Sequence, residues 1–192
     1  MIPTLNQSGV LPPFLPTAGP TQSAAMAPYK ASLTEVVARF ATTPERIDII
    51  RGFLGYRQLL HNAGIVDGFQ WINGSYVENC EQYRGKPPSD IDVVTFAERP
   101  VNFTDDTLWI QFVARNRNNL FDRNSIKQNY RCDSFYEDLS LPNKVLVSRA
   151  RYWFGLFSHQ RTTYLWKGLL VIPLQADDQA ALALLNGGTH AS

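Results

Sequence analysis

Two aspartates stand two residues apart at the start of an apolar segment, with Asp90 and Asp92 on either side of Ile91. Side chains alternate between the two faces of a strand, so residues two apart point to the same face. Two carboxylates on one face could together hold a hard divalent cation such as Mg²⁺, which prefers oxygen ligands. A third carboxylate should come from a neighbouring strand, and Asp133, in a strand predicted over residues 130–136, is the obvious one. The sequence therefore predicts a metal site built from carboxylates.

A glycine–serine pair, Gly74 and Ser75, follows a strand predicted over residues 69–73 and precedes a short helical segment predicted over residues 76–82. The first turn of a helix has backbone N–H groups without partners. These groups and the serine hydroxyl could bind an anion such as a triphosphate. The predicted cation and anion sites would then face each other.

Each of these features has a plain structural explanation when it is taken alone. A glycine–serine pair is more often only a helix cap. Asp90 and Asp92 could be solvated residues at a strand edge, and Asp133 could be an ion-pair partner of Arg131. The order of the features, their spacing and the apolar residues between them favour one joint site.

The elements that must position these residues follow from caps and hydrophobic periodicity. A capping box at Ser32 and Glu35 predicts a helix from residue 33, and Thr43 followed by Pro44 predicts a second helix that ends near residues 62–64. A helix beginning at residues 104–106 should end near residue 119, with Leu108, Trp109, Phe112 and Val113 inward. The remaining predicted elements are strands over residues 91–96 and 168–174 and helices over residues 142–157 and 178–185.

The N-terminal segment, residues 1–32, is rich in proline. It holds six of the twelve prolines and shows no sustained helical or strand period. We expect an extended arm with enough apolar surface to dock on a groove, followed by one domain over residues 33–192.

Composition excludes several classes of protein. The chain has 192 residues, 44% of them hydrophobic, which suits one globular domain, and no apolar run of about 18 residues predicts a membrane span. Without a recognisable secretory signal we expect a cytoplasmic protein with no membrane partner. The two cysteines, Cys80 and Cys132, are far apart and argue against a disulfide framework or a thiolate zinc site.

Charge is distributed unevenly along the chain. Residues 111–170 carry ten basic and four acidic side chains, a net charge of +6, whereas the whole chain has a net charge of +1. Such a block could attract a polyanion such as RNA, although a solvated helix face explains a basic run at least as often.

The order of strand, Gly74-Ser75, short helix, Asp90-x-Asp92 and a later strand carboxylate resembles the nucleotidyltransferase superfamily that includes DNA polymerase beta and minimal antitoxin-type nucleotidyltransferases. The resemblance covers residues 69–136, and its spacer of 14 residues between Ser75 and Asp90 is slightly long for the superfamily. Beyond this core, Leu11-Pro12-Pro13, residues 40–46 and residues 152–168 are similar to a small, uncharacterised bacterial nucleotidyltransferase-like family.

The resemblance implies an α/β fold, in which helices cover a mixed sheet, and metal-dependent transfer of a nucleotidyl group from an NTP to a hydroxyl acceptor. Asp90, Asp92 and Asp133 would be catalytic and would bind Mg²⁺ or Mn²⁺. The expected nucleotide is ATP, contacted by Gly74 and Ser75 and, as phosphate clamps, by Arg161 and Lys167. The acceptor would be RNA or protein. The alternative is an antitoxin-type protein with weak or lost catalysis that sequesters a partner toxin.

Overall fold

Five strands form one mixed sheet in the computed structural model, which describes residues 1–187. The strand order is β1-β5-β2-β3-β4, where β2 is antiparallel to both of its neighbours and the pairs β3–β4 and β1–β5 are parallel. The strands are β1 Tyr29–Lys30, β2 Gly68–Asn73, β3 Ile91–Ala97, β4 Cys132–Asp138 and β5 Leu170–Pro173. The predicted α/β class with a mixed sheet is confirmed.

Helices cover both faces of this sheet. They are α1 Leu33–Phe40, α2 Pro44–Asn62, α3 Cys80–Arg84, α4 Asp106–Arg115, α5 Arg123–Tyr130, α6 Asn143–Phe157 and α7 Asp178–Gly187. The capping box at Ser32 begins α1, and the Thr43 hydroxyl caps α2 with Pro44 in its first turn, as the sequence predicts. Within residues 1–187, no helix has both the length and the apolar character needed to cross a membrane.

Alternation along the strands assigns each face of the sheet to different helices. On one face, Phe135 of β4 packs against Trp153 of α6. On the other face, Ser134 donates a hydrogen bond to the Tyr56 hydroxyl of α2 at 2.8 Å, and Tyr136 packs against Trp109 of α4. Consequently α6 covers the first face, and α2 and α4 cover the second.

Several predicted boundaries are wrong. The helix predicted over residues 76–82 is a three-residue 3-10 turn, Ser75–Val77, followed by the separate short helix α3. The strand predicted from residue 130 begins at Cys132, because Tyr130 ends α5 and Arg131 adopts a left-handed conformation with φ of 53°. Leu108, predicted to point inward, is exposed.

The N-terminal segment lies against the rest of the chain and contains turns and a 3-10 helix, Ser23–Ala25. Val10 and Leu11 are buried, and the Leu11 carbonyl accepts a hydrogen bond from the Gly168 N–H at 2.7 Å. Residues 29–30 of this segment join the sheet as β1, which periodicity did not predict. Residues 188–192, the end of the domain expected over residues 33–192, lie outside the described residues.

Candidate active site

The parallel pairing of β3 with β4 places Asp92 directly opposite Asp133. Asp133 precedes Phe135 by two residues and therefore shares the α6 face of the sheet. On β3, Phe96 stacks on aromatic rings of that same face, so Asp92 and Asp90, four and six residues earlier, also belong to it. The three aspartates singled out from the sequence thus converge on one face of two adjacent strands.

The turn after β2 lies against Asp92. Gly74 has a φ of 80°, and a β-carbon at this position would stand 2.2 Å from Oδ2 of Asp92. Only glycine allows the backbone to approach so closely in this conformation. Ser75 begins the 3-10 turn, and its hydroxyl has no hydrogen-bond partner among residues 1–187. Because this turn is only three residues long, anion binding here would depend on individual N–H groups and the hydroxyl rather than on a helix dipole.

A cleft of about 890 Å³ opens above the aspartates. Its walls include the turn after β2, the arm at residues 7–9 and the loop at residues 159–165. Both predicted phosphate clamps, Arg161 and Lys167, line the same cleft. The volume lies within the range of small-molecule sites in proteins.

Asp92 has a strongly perturbed ionisation. Burial, followed by the charges of Asp90 and Asp133, raises the pKa of Asp92 to about 6. No side chain or backbone group among residues 1–187 donates a hydrogen bond to its carboxylate. A positive charge placed beside this carboxylate would stabilise its ionised form.

Two basic side chains of α5 neutralise the other two aspartates. Arg123 donates to both carboxylate oxygens of Asp133, with Nη2 at 2.6 Å from Oδ2. Lys127 forms an ion pair with Asp90 and stands 3.6 Å from Oδ2 of Asp133. Burial opposes ionisation of Asp133, but the hydrogen bond from Arg123 and the charge of Lys127 lower the pKa of Asp133 below its usual value.

Sequence reasoning did not single out Arg123 and Lys127 as site residues. Their spacing of four residues, with Asp122 as an N-cap, would have put them on one helix face had α5 been predicted. While Arg123 and Lys127 are paired with the aspartates, no group of three or more His, Cys, Asp or Glu side chains within residues 1–187 is placed to hold a metal ion.

A buried ionic cluster forms the back wall of the cleft. Glu78 is buried and accepts hydrogen bonds from Lys167, Arg84 and Gln160, the last at 2.9 Å. Burial lowers the pKa of Lys167 despite the opposing charge of Glu78. Lys167 therefore forms a structural ion pair with Glu78 in the wall of the cleft. Arg161, in contrast, is exposed at the mouth of the cleft. Glu78 carried no motif signal in the sequence.

Asn73 adds an unsatisfied group to the cleft. It pairs with Asp92 across β2 and β3, and its Nδ2 donates to the Phe157 carbonyl. Its Oδ1 is buried without a hydrogen-bond partner among residues 1–187. A buried acceptor of this kind is uncommon, because buried polar groups are nearly always satisfied. This oxygen and the three carboxylates are donors of the type that Mg²⁺ prefers, but with Arg123 and Lys127 in place they are not arranged to hold an ion.

Comparisons with known proteins assign the chain to a family but not to an activity. No curated protein matches the chain, and no solved structure matches it. One family model, described as a family of unknown function (DUF6932), matches residues 3–173. Since the match spans most of the chain and includes all of the cleft residues described above, the chain belongs to the DUF6932 family.

Proposed function

We propose that this protein is a metal-dependent nucleotidyltransferase that moves an NMP group from an NTP, with ATP as the expected donor, to a hydroxyl acceptor on RNA or protein. The observation that carries the proposal is the pairing of Asp92 with Asp133 across β3 and β4, beside Asp90 and the Gly74-Ser75 turn. It supports the proposal because it brings together the residues on which the sequence resemblance rests.

In the proposed reaction the acceptor oxygen attacks the α-phosphorus, the bond between that phosphorus and its bridging oxygen to the β-phosphate breaks, and pyrophosphate leaves. Asp90, Asp92 and Asp133 would hold Mg²⁺ or Mn²⁺, which when bound neutralises phosphate charge and lowers the pKa of the attacking hydroxyl. Ser75 and the backbone at Gly74 would contact the triphosphate. Asp133 would also orient the acceptor hydroxyl.

The basic residues of the cleft would act on the leaving group. Arg161 is exposed at the mouth and can turn towards a phosphate. Lys167 would contribute its charge from the wall while it stays paired with Glu78. Arg123 and Lys127 would have to release Asp133 and Asp90 when a cation binds, and their flexible, half-exposed side chains could then reach phosphate oxygens.

The second candidate is an antitoxin-type binding protein with weak or lost catalysis, which sequesters a partner toxin. One observation favours it: Arg123 and Lys127 already compensate the clustered negative charge, so the fold can retain these carboxylates without a cation. The apolar arm supports it less than the sequence suggested, because Val10 and Leu11 are buried against the chain's own core.

Labelled nucleotides separate these candidates. Purified protein is incubated with Mg²⁺ or Mn²⁺, RNA and co-purified protein, and an NTP labelled on either the α- or the γ-phosphate. Nucleotidyl transfer labels an acceptor from the α-position and releases the γ-label as pyrophosphate. Phosphoryl transfer labels the acceptor from the γ-position and leaves the α-label in the nucleoside diphosphate. Asp92→Asn should abolish labelling, and Asp106→Asn, an exposed aspartate on α4 at the opposite face, should not.

The catalytic proposal would be overturned if no acceptor became labelled with any NTP. It would also be overturned if Asp92→Asn still labelled an acceptor. A stable complex between the double variant Asp90→Asn/Asp92→Asn and a co-purified protein, in the absence of any transfer, would support the binding role instead.

A further inference from the structure

One segment next to the cleft has no acidic residue. Residues 139–176 contain no Asp or Glu but include Lys144, Arg149, Arg151, Arg161 and Lys167. Lys167 is buried and paired, and Arg149 lies 3.7 Å from Glu137 of β4. Lys144, Arg151 and Arg161 are exposed and form no ion pair among residues 1–187. This segment therefore presents three exposed cations that have no ion-pair partner within 4 Å among residues 1–187.

The exposed side of α6 leads to the cleft. Val145, Arg149, Tyr152 and Leu156 follow a spacing of four, three and four residues, which places them along one side of the helix. All four are exposed, and Leu156 itself lines the cleft. This row covers roughly 16 Å of helix length. A ligand lying along it would end at the aspartates, because α6 and the three carboxylates share one face of the sheet.

Two exposed tyrosine rings lie in the same segment as these cations. Tyr152 is 54% exposed, and Tyr164, in the loop that lines the cleft, is 82% exposed. Near Arg151 the surface is open, since nothing lies within 4 Å of a β-carbon built at Gly155. Exposed rings beside unpaired cations suit a ligand that has both negative charge and planar groups.

We propose that this surface, comprising Lys144, Arg151, Tyr152, Arg161 and Tyr164, binds a single-stranded RNA whose end reaches the cleft. Phosphates would contact the cations, and unpaired bases would stack on the two tyrosines. A duplex keeps its bases stacked inside and cannot use the rings, and an acidic peptide offers charge without bases. This inference rests on the proposed function, for which it names RNA as the acceptor class.

Binding can be measured separately from catalysis. Fluorescence anisotropy follows a labelled, unstructured RNA of about 16 nucleotides in EDTA, without nucleotide. The double variant Lys144→Glu/Arg151→Glu should weaken binding at least tenfold and reduce the salt slope by about two. Tyr152→Ala/Tyr164→Ala should weaken it about tenfold and leave the salt slope unchanged. The control, Arg115→Glu, changes an exposed arginine on α4 at the opposite face and should have little effect.

The outcomes distinguish this inference from the proposed function. RNA binding is measured in EDTA without nucleotide, so its outcome does not depend on whether the protein transfers a nucleotidyl group. Equal binding of a duplex or of polyglutamate, or equal loss with Arg115→Glu, would overturn the RNA assignment. Normal RNA binding without any transfer activity would overturn only the catalytic proposal.

Discussion

Asp92 is partly buried, has two neighbouring carboxylates and receives no hydrogen bond from any group among residues 1–187. Its pKa of about 6 in the folded protein lies above its usual value of 3.8. The native state therefore holds the proton more tightly than the unfolded chain, and stability falls as pH rises through this window. Without a cation, ionised Asp92 should cost the fold about 2–3 kcal/mol at neutral pH.

Asp92→Asn should therefore stabilise the protein in EDTA at pH 7 by about 2 kcal/mol, because it removes this unfavourable charge. The gain should shrink towards zero near pH 4, where the natural carboxyl is protonated. Urea denaturation at several pH values measures it, with Asp106→Asn as the control. A variant that is less stable than the natural protein at pH 7 would contradict this account of Asp92.

Lys127 competes with a divalent cation for Asp90 and Asp133. Lys127→Met keeps much of the side chain's length but removes its charge. We expect the free energy of unfolding to drop by about 1 kcal/mol in EDTA, since the carboxylates then repel one another more strongly. Mn²⁺, followed by electron paramagnetic resonance, should bind several-fold more tightly. Weaker Mn²⁺ binding would mean that Lys127 positions the ligands instead of competing for them.

At the scale of elements, the close contact between the β2–β3 connection and Asp92 depends on Gly74. Gly74→Ala adds a β-carbon 2.2 Å from Oδ2 of Asp92 and also strains a backbone with φ of 80°. We expect a loss of about 2–4 kcal/mol and loss of nucleotide binding. Gly85→Ala is the matched control, because Gly85 has a φ of 66° but no atom of residues 1–187, beyond its chain neighbours, would lie within 4 Å of its added β-carbon.

The control separates backbone strain from the clash. Gly85→Ala should cost about 1 kcal/mol and leave the cleft unchanged. Thermal unfolding and nucleotide titration of both variants make the comparison. Equal losses in the two variants would show that the contact with Asp92 is unimportant.

Prediction from sequence succeeded where local signals are strong. Caps and apolar periodicity located α1 and α2, and apolar runs located β2, β3 and β5 to within about two residues. Helix α5 was missed because it is polar and buries only Ile126. Strand β1 was missed because it is two residues long and exists only by pairing with β5.

The site was predictable to a similar degree. Period-two alternation put Asp90 and Asp92 on one face, but the register that sets Asp92 opposite Asp133 is a tertiary contact. The ion pair of Lys127 with Asp90, the pair of Lys167 with Glu78 and the hydrogen bond of Asn73 to Phe157 also join residues distant in sequence. No local pattern carries that information.

At the scale of the whole molecule, Arg57 ties α2 to the sheet and to α7. Its side chain is fully buried, pairs with Asp178 through Nε at 2.6 Å, and donates to Gln70 and to the Leu174 carbonyl. Arg57→Ala should cost about 3–5 kcal/mol, since it leaves Asp178 and the buried acceptors without their partner. Arg51→Ala, on the same helix and without an ion pair among residues 1–187, is the control in urea denaturation. A loss no larger than the control's would contradict this role.

The central claim is that Asp90, Asp92 and Asp133 bind a divalent cation together with a nucleotide. Isothermal titration calorimetry with ATP, in Mg²⁺ and in EDTA, tests it most directly. We predict binding that requires Mg²⁺ in the natural protein, persists in Asp106→Asn, and is lost or at least tenfold weaker in Asp92→Asn and Asp133→Asn. Absence of Mg²⁺-dependent binding for ATP and every other NTP, or binding unchanged by both site variants, would contradict the account.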